Sequence, residues 1–252
     1  MIEQNIQAHK KFRILLIGDT CTDVYQYGTV DRISPEAPVP IFVPTYSEER
    51  PGMAGNVLSN LQALGCDVVT QFGDVSKKTR LIDSKSRQQL MRIDQDVGST
   101  GLIRANARGF DAVVISDYDK GFVSHELVKC LIQTADCPIF IDTKKTVLDA
   151  FNGCYIKIND LEHSRAETLP DDQWLITTHG DLGAFYMGQK FPAIKTSDVI
   201  DVTGAGDTFL AALTYGFLTT GDIRQSIMLA NRAASITVRH MGVYAPSLEE
   251  IK

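Results

Sequence analysis

AVVISDYDKGFVSHELVKCLIQTADCPIFID, from Ala112 to Asp142, sets two short apolar runs rich in Val and Ile on either side of a helical pattern. Ala112 to Ser116 and Pro138 to Asp142 have the length and β-branched content of buried strands, and Ser124 to Ala135 has the spacing of a helix between them. Working outward, the alternation continues. Phe12 to Gly18, Val68 to Gly73, Tyr155 to Ile158 and Trp174 to Thr178 read as further strands; Ala54 to Leu64, Asp207 to Leu218 and Asp222 to Arg239 read as helices. This rhythm predicts an α/β domain of three layers, with a mostly parallel sheet covered on both faces. Val24 to Tyr46 breaks it, carrying Pro35, Pro38, Pro40 and Pro44 among alternating β-formers, and is expected to be a small β lid leaving the main sheet. Nothing in residues 1–252 reads as a linker, repeat or low-complexity tract, so one domain is expected.

Composition narrows the class. The 252 residues are 44% hydrophobic and 22% charged, enough for a sizeable core, and the net charge is -6. An acidic chain lacks the basic footprint that holds a phosphate backbone, which disfavours nucleic acid as a partner. Five scattered cysteines contain no Cys-x-x-Cys pair and suit a reducing compartment. The start, Met1 to Lys11, is polar, and the apolar run after it is too short for a signal or membrane segment, so a cytoplasmic location is expected.

Open parallel sheets bind ligands beyond the carboxyl ends of their strands, so the polar residues there matter most. The strongest local signal is Asp201-Val-Thr-Gly-Ala-Gly-Asp207-Thr, leading into an apolar helix. Small residues at a helix start let backbone N–H groups approach an anion, and the helix dipole favours negative charge there. Asp207 is placed to take a proton from an attacking hydroxyl, while the amides of Gly204, Ala205 and Gly206 hold phosphoryl oxygens. The same octapeptide also reads as a plain helix cap with a tight entry. Asn159 and Glu162 follow a strand three residues apart, a spacing suited to a hydrated Mg2+ and equally to a helix cap. Thr178-His-Gly180-Asp-Leu-Gly183 reads as a nucleotide loop or as a hairpin turn. Near the start, Asp23 and Asn56 suit sugar hydroxyls, and Gly52 admits a close backbone. No Gly-x-Gly-x-x-Gly follows the first strand, and no Gly-x-x-x-x-Gly-Lys-Ser/Thr occurs anywhere, which sets aside dinucleotide and P-loop readings.

Asp201 to Asp207 resembles the C-terminal signature of ribokinase-like (PfkB) carbohydrate kinases, and Gly52 to Asn56 their N-terminal glycine motif. The resemblance implies a three-layer ribokinase-like α/β fold with a β lid over the sugar, and phosphoryl transfer from MgATP to a hydroxyl. Within that family, Arg32 to Pro40, Glu49 to Gly52, Ser86 to Asp94 and Ser116 to Gly121 are similar to heptose 7-phosphate kinases, the kinase part of bifunctional ADP-heptose synthases. These phosphorylate the anomeric hydroxyl of D-glycero-D-manno-heptose 7-phosphate to the 1,7-bisphosphate. By this resemblance Asp23, Gly52 and Asn56 bind sugar, Asp207 is the base, and Asn159 and Glu162 hold Mg2+ through water. Thr178, Gly180, Gly183 and Asn231 bind nucleotide, while Asp201 and Thr203 mark a monovalent-cation region suited to K+. The substrate phosphate is expected to meet cations from among Arg50, Arg80, Arg87, Arg92, Lys120 and Lys144, which otherwise read as solvated surface charge. A homodimer through the lid and a separate adenylyltransferase in the same pathway complete the expectation. The chain departs from the family in several places: Met53 stands for a second glycine, Lys157 and Ile158 for Thr-Pro, and Lys145 for glycine, and the middle is compacted. Two rivals stand beside the heptose reading, a ribokinase-like kinase for another sugar and a noncatalytic binding protein of the same fold.

Overall fold

The computed structural model describes residues 11–196 and 198–251; the polar start lies, apart from Lys11, outside them. β1 (Arg13–Thr29) begins with Ile14, Leu15, Leu16 and Ile17, each at most 1% exposed. Successive side chains leave a strand on opposite faces, so Ile14 and Leu16 enter one core while Leu15 and Ile17 enter another. A strand covered on both faces therefore has to be apolar at every position, and each such burial contributes about 1.5–3 kcal/mol.

The chain continues through β2 (Val43–Met53), α1 (Ala54–Ala63), β3 (Asp67–Asp83), β4 (Gln89–Gln95), β5 (Ala112–Asp117), α2 (His125–Thr134), β6 (Ile139–Thr143) and β7 (Tyr155–Asn159). It then forms α3 (Asp160–Arg165), β8 (Leu175–Thr178), β9 (Ala184–Tyr186), β10 (Gln189–Phe191), α4 (Ala205–Thr220), α5 (Ile223–Thr237) and α6 (Leu248–Ile251). The strands make one sheet in the order β10-β9-β8-β7-β6-β5-β1-β3-β4, with β2 also on β1. β3, β1, β5, β6, β7 and β8 run parallel, while β2, β4, β9 and β10 are antiparallel additions. Residues of α1, α4, α5 and α6 pack one face and those of α2 the other, giving the three layers that the alternation predicts. This is the three-layer α/β architecture that the resemblance implies.

Three boundaries differ from expectation, one of them that of β3, which runs past Gly73 to Asp83. The first strand does not end at Gly18: its run Gly18-Asp-Thr-Cys-Thr-Asp23 looks like a turn, yet Thr20, Cys21 and Asp23 are buried between β2 and β3. The lid is correspondingly larger than Val24 to Tyr46. The β1–β3 register shifts between Gly18 and Thr20, and beyond that shift the far half of β1, β2, the far half of β3 and β4 form the extension. Residues 30–42 are the connection, bridged once between Ile33 and Pro40. No helix among the described residues is long and apolar enough to cross a membrane. Cys21, Cys66 and Cys154 are buried free thiols, each pushed up to about 12, by burial foremost.

Candidate active site

α4 opens on Gly204 at φ 79, in the left-handed region, and no side chain caps it. An added Cβ at Gly204 would meet Asn56 Nδ2 at 2.6 Å, so both the turn and the close approach require glycine. Of the first amides, Ala205 N–H reaches the Val202 carbonyl at 3.3 Å, whereas those of Gly206 and Asp207 have no acceptor among the described residues. Two free N–H groups at the positive end of a sixteen-residue helix suit an anion.

Asp207 lies in that first turn, 6% exposed. Asn56 Nδ2 donates to its Oδ2 at 2.9 Å, and the Tyr118 hydroxyl donates to its Oδ1 at 3.1 Å. Burial, the largest effect, raises its pKa to about 6; the two donors and Lys157 pull it down, and nearby Asp142 pushes it up. A carboxylate held this way is ionised at neutral pH yet basic enough to accept a proton, the compromise a general base needs.

On the lid side, Asp23 is buried beside Arg80, whose guanidinium lies 3.5 Å from Oδ1. Gly52 is paired with Cys21 across β1 and β2, and a Cβ there would run into the Asp23 carboxylate. Asp23 Oδ1, Arg80 Nε and the Tyr25 hydroxyl are buried with no hydrogen-bond partner. Lys78 extends over the Tyr118 ring at 5.4 Å, and it has no ion pair among the described residues. Asp23, Lys78, Asp207 and Arg80 all lie close enough to Cys21 to act on its thiol, which gathers these groups on the lid side of Asp207. Of the other expected cations, Lys120 is paired with Asp96, Arg92 with Asp94 and Arg50 with Glu48. Met53, at φ 54, keeps a backbone that favours the glycine it stands for.

On the other side of the Gly204 turn is a cavity of about 480 Å³, largely apolar, lined among others by Thr178, Gly180, Gly183, Ala205, Gly206 and Asn231. Asn231 is buried and donates through Nδ2 to the Phe191 carbonyl at 2.9 Å, fixing the wall beside β10. Asp201 accepts from Thr203 N–H and hydroxyl through Oδ1, and from Gly242 N–H through Oδ2. In this structure Asp201 and Thr203 clasp the loop that enters the turn.

Asn159 and Glu162 are not among the lining residues. They close a reciprocal capping box at the start of α3, and the Glu162 carboxylate also receives the Lys144 ammonium. Lys144 leans 3.6 Å from Asp142 Oδ1 as well; burial opposes its charge, but the two carboxylates outweigh that and raise its pKa. Asp142 in turn takes Lys157 Nζ at 2.6 Å. No group of three acidic, His or Cys side chains among the described residues makes a metal cage. Lysine ammoniums already engage both carboxylates, so an Mg2+ here would keep its own water and meet Glu162 and Asp142 through it.

Sequence reading missed Tyr118, Lys78, Asp142 and Lys157. Tyr118 lies within the quoted stretch Ser116 to Gly121 but was given no role, and Lys78 lies inside β3 outside any motif, whereas a lysine inside the buried run Tyr155-Ile-Lys-Ile-Asn159 was a visible signal.

A pfkB family carbohydrate kinase profile matches residues 156–251. Bifunctional protein HldE of Nitratiruptor sp. is 31% identical over 96% of the chain and 64% of its own length. The protein of the same name from Campylobacter jejuni is 30% identical over 97% and 65%. The chain thus spans a little less than two thirds of these relatives. Among solved structures, ribokinase from Thermotoga maritima superposes with a TM-score of 0.70 at 14% identity, covering 95% of this chain and 98% of that one. Phosphofructokinase-2 from Escherichia coli, solved with potassium, gives 0.70 at 17%, covering 95% and 97%. At such identities these two likenesses establish the fold.

Proposed function

The chain belongs to the pfkB family of carbohydrate kinases, and on that premise we propose that it is a cytoplasmic enzyme moving the terminal phosphoryl group of ATP to the anomeric hydroxyl of D-glycero-D-manno-heptose 7-phosphate. The observation that carries the reaction is the position of Asp207. A buried base of raised pKa shares one turn with two free amides, between the polar groups of the lid and an apolar cavity. The nucleotide occupies the cavity with its phosphates toward Gly206, and the sugar lies on the lid side with Asp23 and Asn56 on its hydroxyls.

Asp207 takes the proton of the accepting hydroxyl as that oxygen bonds to the terminal phosphorus. The bond from phosphorus to the bridging oxygen breaks, and ADP leaves with the electron pair. The Gly206 and Asp207 amides hold the phosphoryl oxygens during transfer. Mg2+, when bound with ATP, neutralises charge on the phosphates; Asn159, Glu162 and Asp142 would steady its water. A K+ ion near Asp201 and Thr203 would act on the loop those residues clasp.

The heptose phosphate is favoured by the HldE relatives and by the lid cations. Arg80 and Lys78 converge on Asp23 and Tyr118, where an uncharged sugar would leave Lys78 without a counter-charge. Of the remaining proposals, an adenylyltransferase acting on the product rests on the resemblance, and pairing of two copies through the lid rests on the tendency of exposed strand edges to pair.

Purified protein with MgATP and a panel of sugars and sugar phosphates tests the reading. Heptose 7-phosphate is expected to be turned over, and Asp207→Asn to lower kcat by about 10²–10⁴. Turnover of another sugar alone would reject the substrate, and an unimpaired Asp207→Asn enzyme would reject the mechanism.

A further inference from the structure

Tyr118, which donates to Asp207, leaves the sheet directly after β5, and a carboxylate flanks it on either side. Asp117, the last residue of β5, is 1% exposed; its Oδ1 accepts from Asp119 N–H at 2.9 Å and its Oδ2 from the Thr143 hydroxyl at 2.6 Å. Asp119 is half-exposed and holds a left-handed backbone at φ 56, a region that Asp enters more readily than most side chains. One ammonium serves both. Lys145 Nζ lies 2.5 Å from Asp119 Oδ1 and 3.6 Å from Asp117 Oδ2, and the lysine N–H donates to Thr143 Oγ1 at 3.1 Å.

Neutralising Asp117 does not account for this arrangement. Both oxygens of that carboxylate already accept from other donors, and the ammonium stands nearer to Asp119. Nor does stability, since an ion pair with one exposed partner contributes little, and a left-handed Asp works against it. What the pair does is tie together the residues before and after Tyr118, while Asp19 Oδ2 accepts the tyrosine's own N–H at 2.8 Å. The ring then extends, with the ammoniums of Lys78 and Lys144 over it at 5.4 and 5.1 Å, to set its hydroxyl 3.1 Å from Asp207 Oδ1. Asn56 holds the other oxygen, so the position of Tyr118 decides how the plane of the carboxylate is turned.

We propose that Lys145 is a positioning residue for the transfer step: by holding Asp117 and Asp119 together it fixes the span that carries Tyr118, and with it the orientation of the Asp207 carboxylate toward the accepting hydroxyl. The inference rests on the kinase reading above and extends it to a side chain that does not line the nucleotide cavity.

Steady-state kinetics with MgATP and heptose 7-phosphate compare the wild type with Lys145→Met, Lys145→Arg, Tyr118→Phe and the Lys145→Met/Tyr118→Phe double variant. Lys145→Met is expected to lower kcat about fivefold or more while the KM for ATP stays within about twofold, and Lys145→Arg to recover part of the loss. In the Tyr118→Phe background the same lysine change is expected to lower kcat by less than about twofold, because the hydroxyl it positions is gone. Losses that multiply in the double variant, or a Tyr118→Phe enzyme as fast as wild type, would overturn the proposal. If Lys145→Met shows no cooperative melt, Asp119→Asn takes its place, since it keeps the left-handed backbone and leaves Asp117 its counter-charge. A loss of kcat there that does not depend on Tyr118, or no loss, would sink the idea. A second readout needs no turnover. With 3-fluorotyrosine incorporated, the fluorine resonance that vanishes in Tyr118→Phe reports that ring, and it is expected to move most in Lys145→Met; an unmoved resonance would also overturn the proposal. A wild type that phosphorylates no sugar would overturn the kinase reading and the positioning role with it, a result distinct from an active wild type whose Tyr118 resonance ignores Lys145.

Discussion

Asp207 carries opposite demands on one side chain. Desolvation raises its pKa to about 6, and Asn56 and Tyr118 hold it from rising further. Because the base works ionised, kcat/KM is expected to fall tenfold per pH unit below about 6, a profile measurable at saturating ATP. Stability runs the other way. The folded pKa lies above the unfolded 3.8, so the favourable contribution of the protonated form is complete below about 3.8 and gone above about 6. Asp207→Asn, which keeps the neutral form, is therefore expected to be more stable than wild type by roughly 1–3 kcal/mol at pH 8, with the two converging near pH 3.5. Denaturant melts at both pH values check it, and equal stability at pH 8 would contradict the burial of the charge. Asp207, Asn56 and Asp23 were legible in the sequence because each sits in a short motif with its own chemistry. Tyr118 was not, because its hydroxyl reaches Asp207 across 89 positions of chain and only the sheet order brings them together.

Among the elements, the entry to α4 is the most constrained. Gly204→Ala forces a left-handed backbone on a residue that resists it and drives a methyl group into Asn56, the donor to Asp207. About 1–2 kcal/mol of stability is expected to be lost, with kcat reduced more than the KM for ATP, as melts and steady-state kinetics would show. By contrast, Ser124→Ala at the start of α2, where the hydroxyl accepts from Leu127 N–H, should lose about 1 kcal/mol and leave kinetics untouched. The four helices read from the sequence end within two residues of α1, α2, α4 and α5, since capping and apolar spacing are local properties; the short α3 and α6 were not read. β1 was cut short for a physical reason. The half of that strand that bears the site is buried yet polar, and burial by β2 and β3 is a tertiary fact that no window of the sequence carries. The capping box of Asn159 and Glu162 shows the converse, a motif whose local role is plain in the structure while its role toward an ion depends on Lys144, eighteen residues before Glu162.

At the scale of the whole molecule, the two halves of the sheet differ in how firmly they are held. β5 is buried at every position, whereas β4 is exposed throughout and β2 over most of its length. Amides of β4 are expected to exchange hydrogen through local opening, orders of magnitude faster than those of β5, and a bound sugar phosphate should slow the lid strands selectively. Mass-spectrometric exchange measures both, and uniform protection would show the lid to be part of the rigid body. Layer order and parallel direction were readable from the alternation of apolar runs; the reach of the lid was not, because it is made from continuations of core strands. β1 and β3 pass from core to lid without a connecting loop, through the register shift between Gly18 and Thr20 on one strand and Phe72 and Val75 on the other. Anyone grafting a lid from one such kinase to another has no linker to cut. A recombinant joined at that shift inherits a place where the pairing is already broken, while a junction a residue or two to either side would ask two foreign strands to agree on which side chains face the substrate.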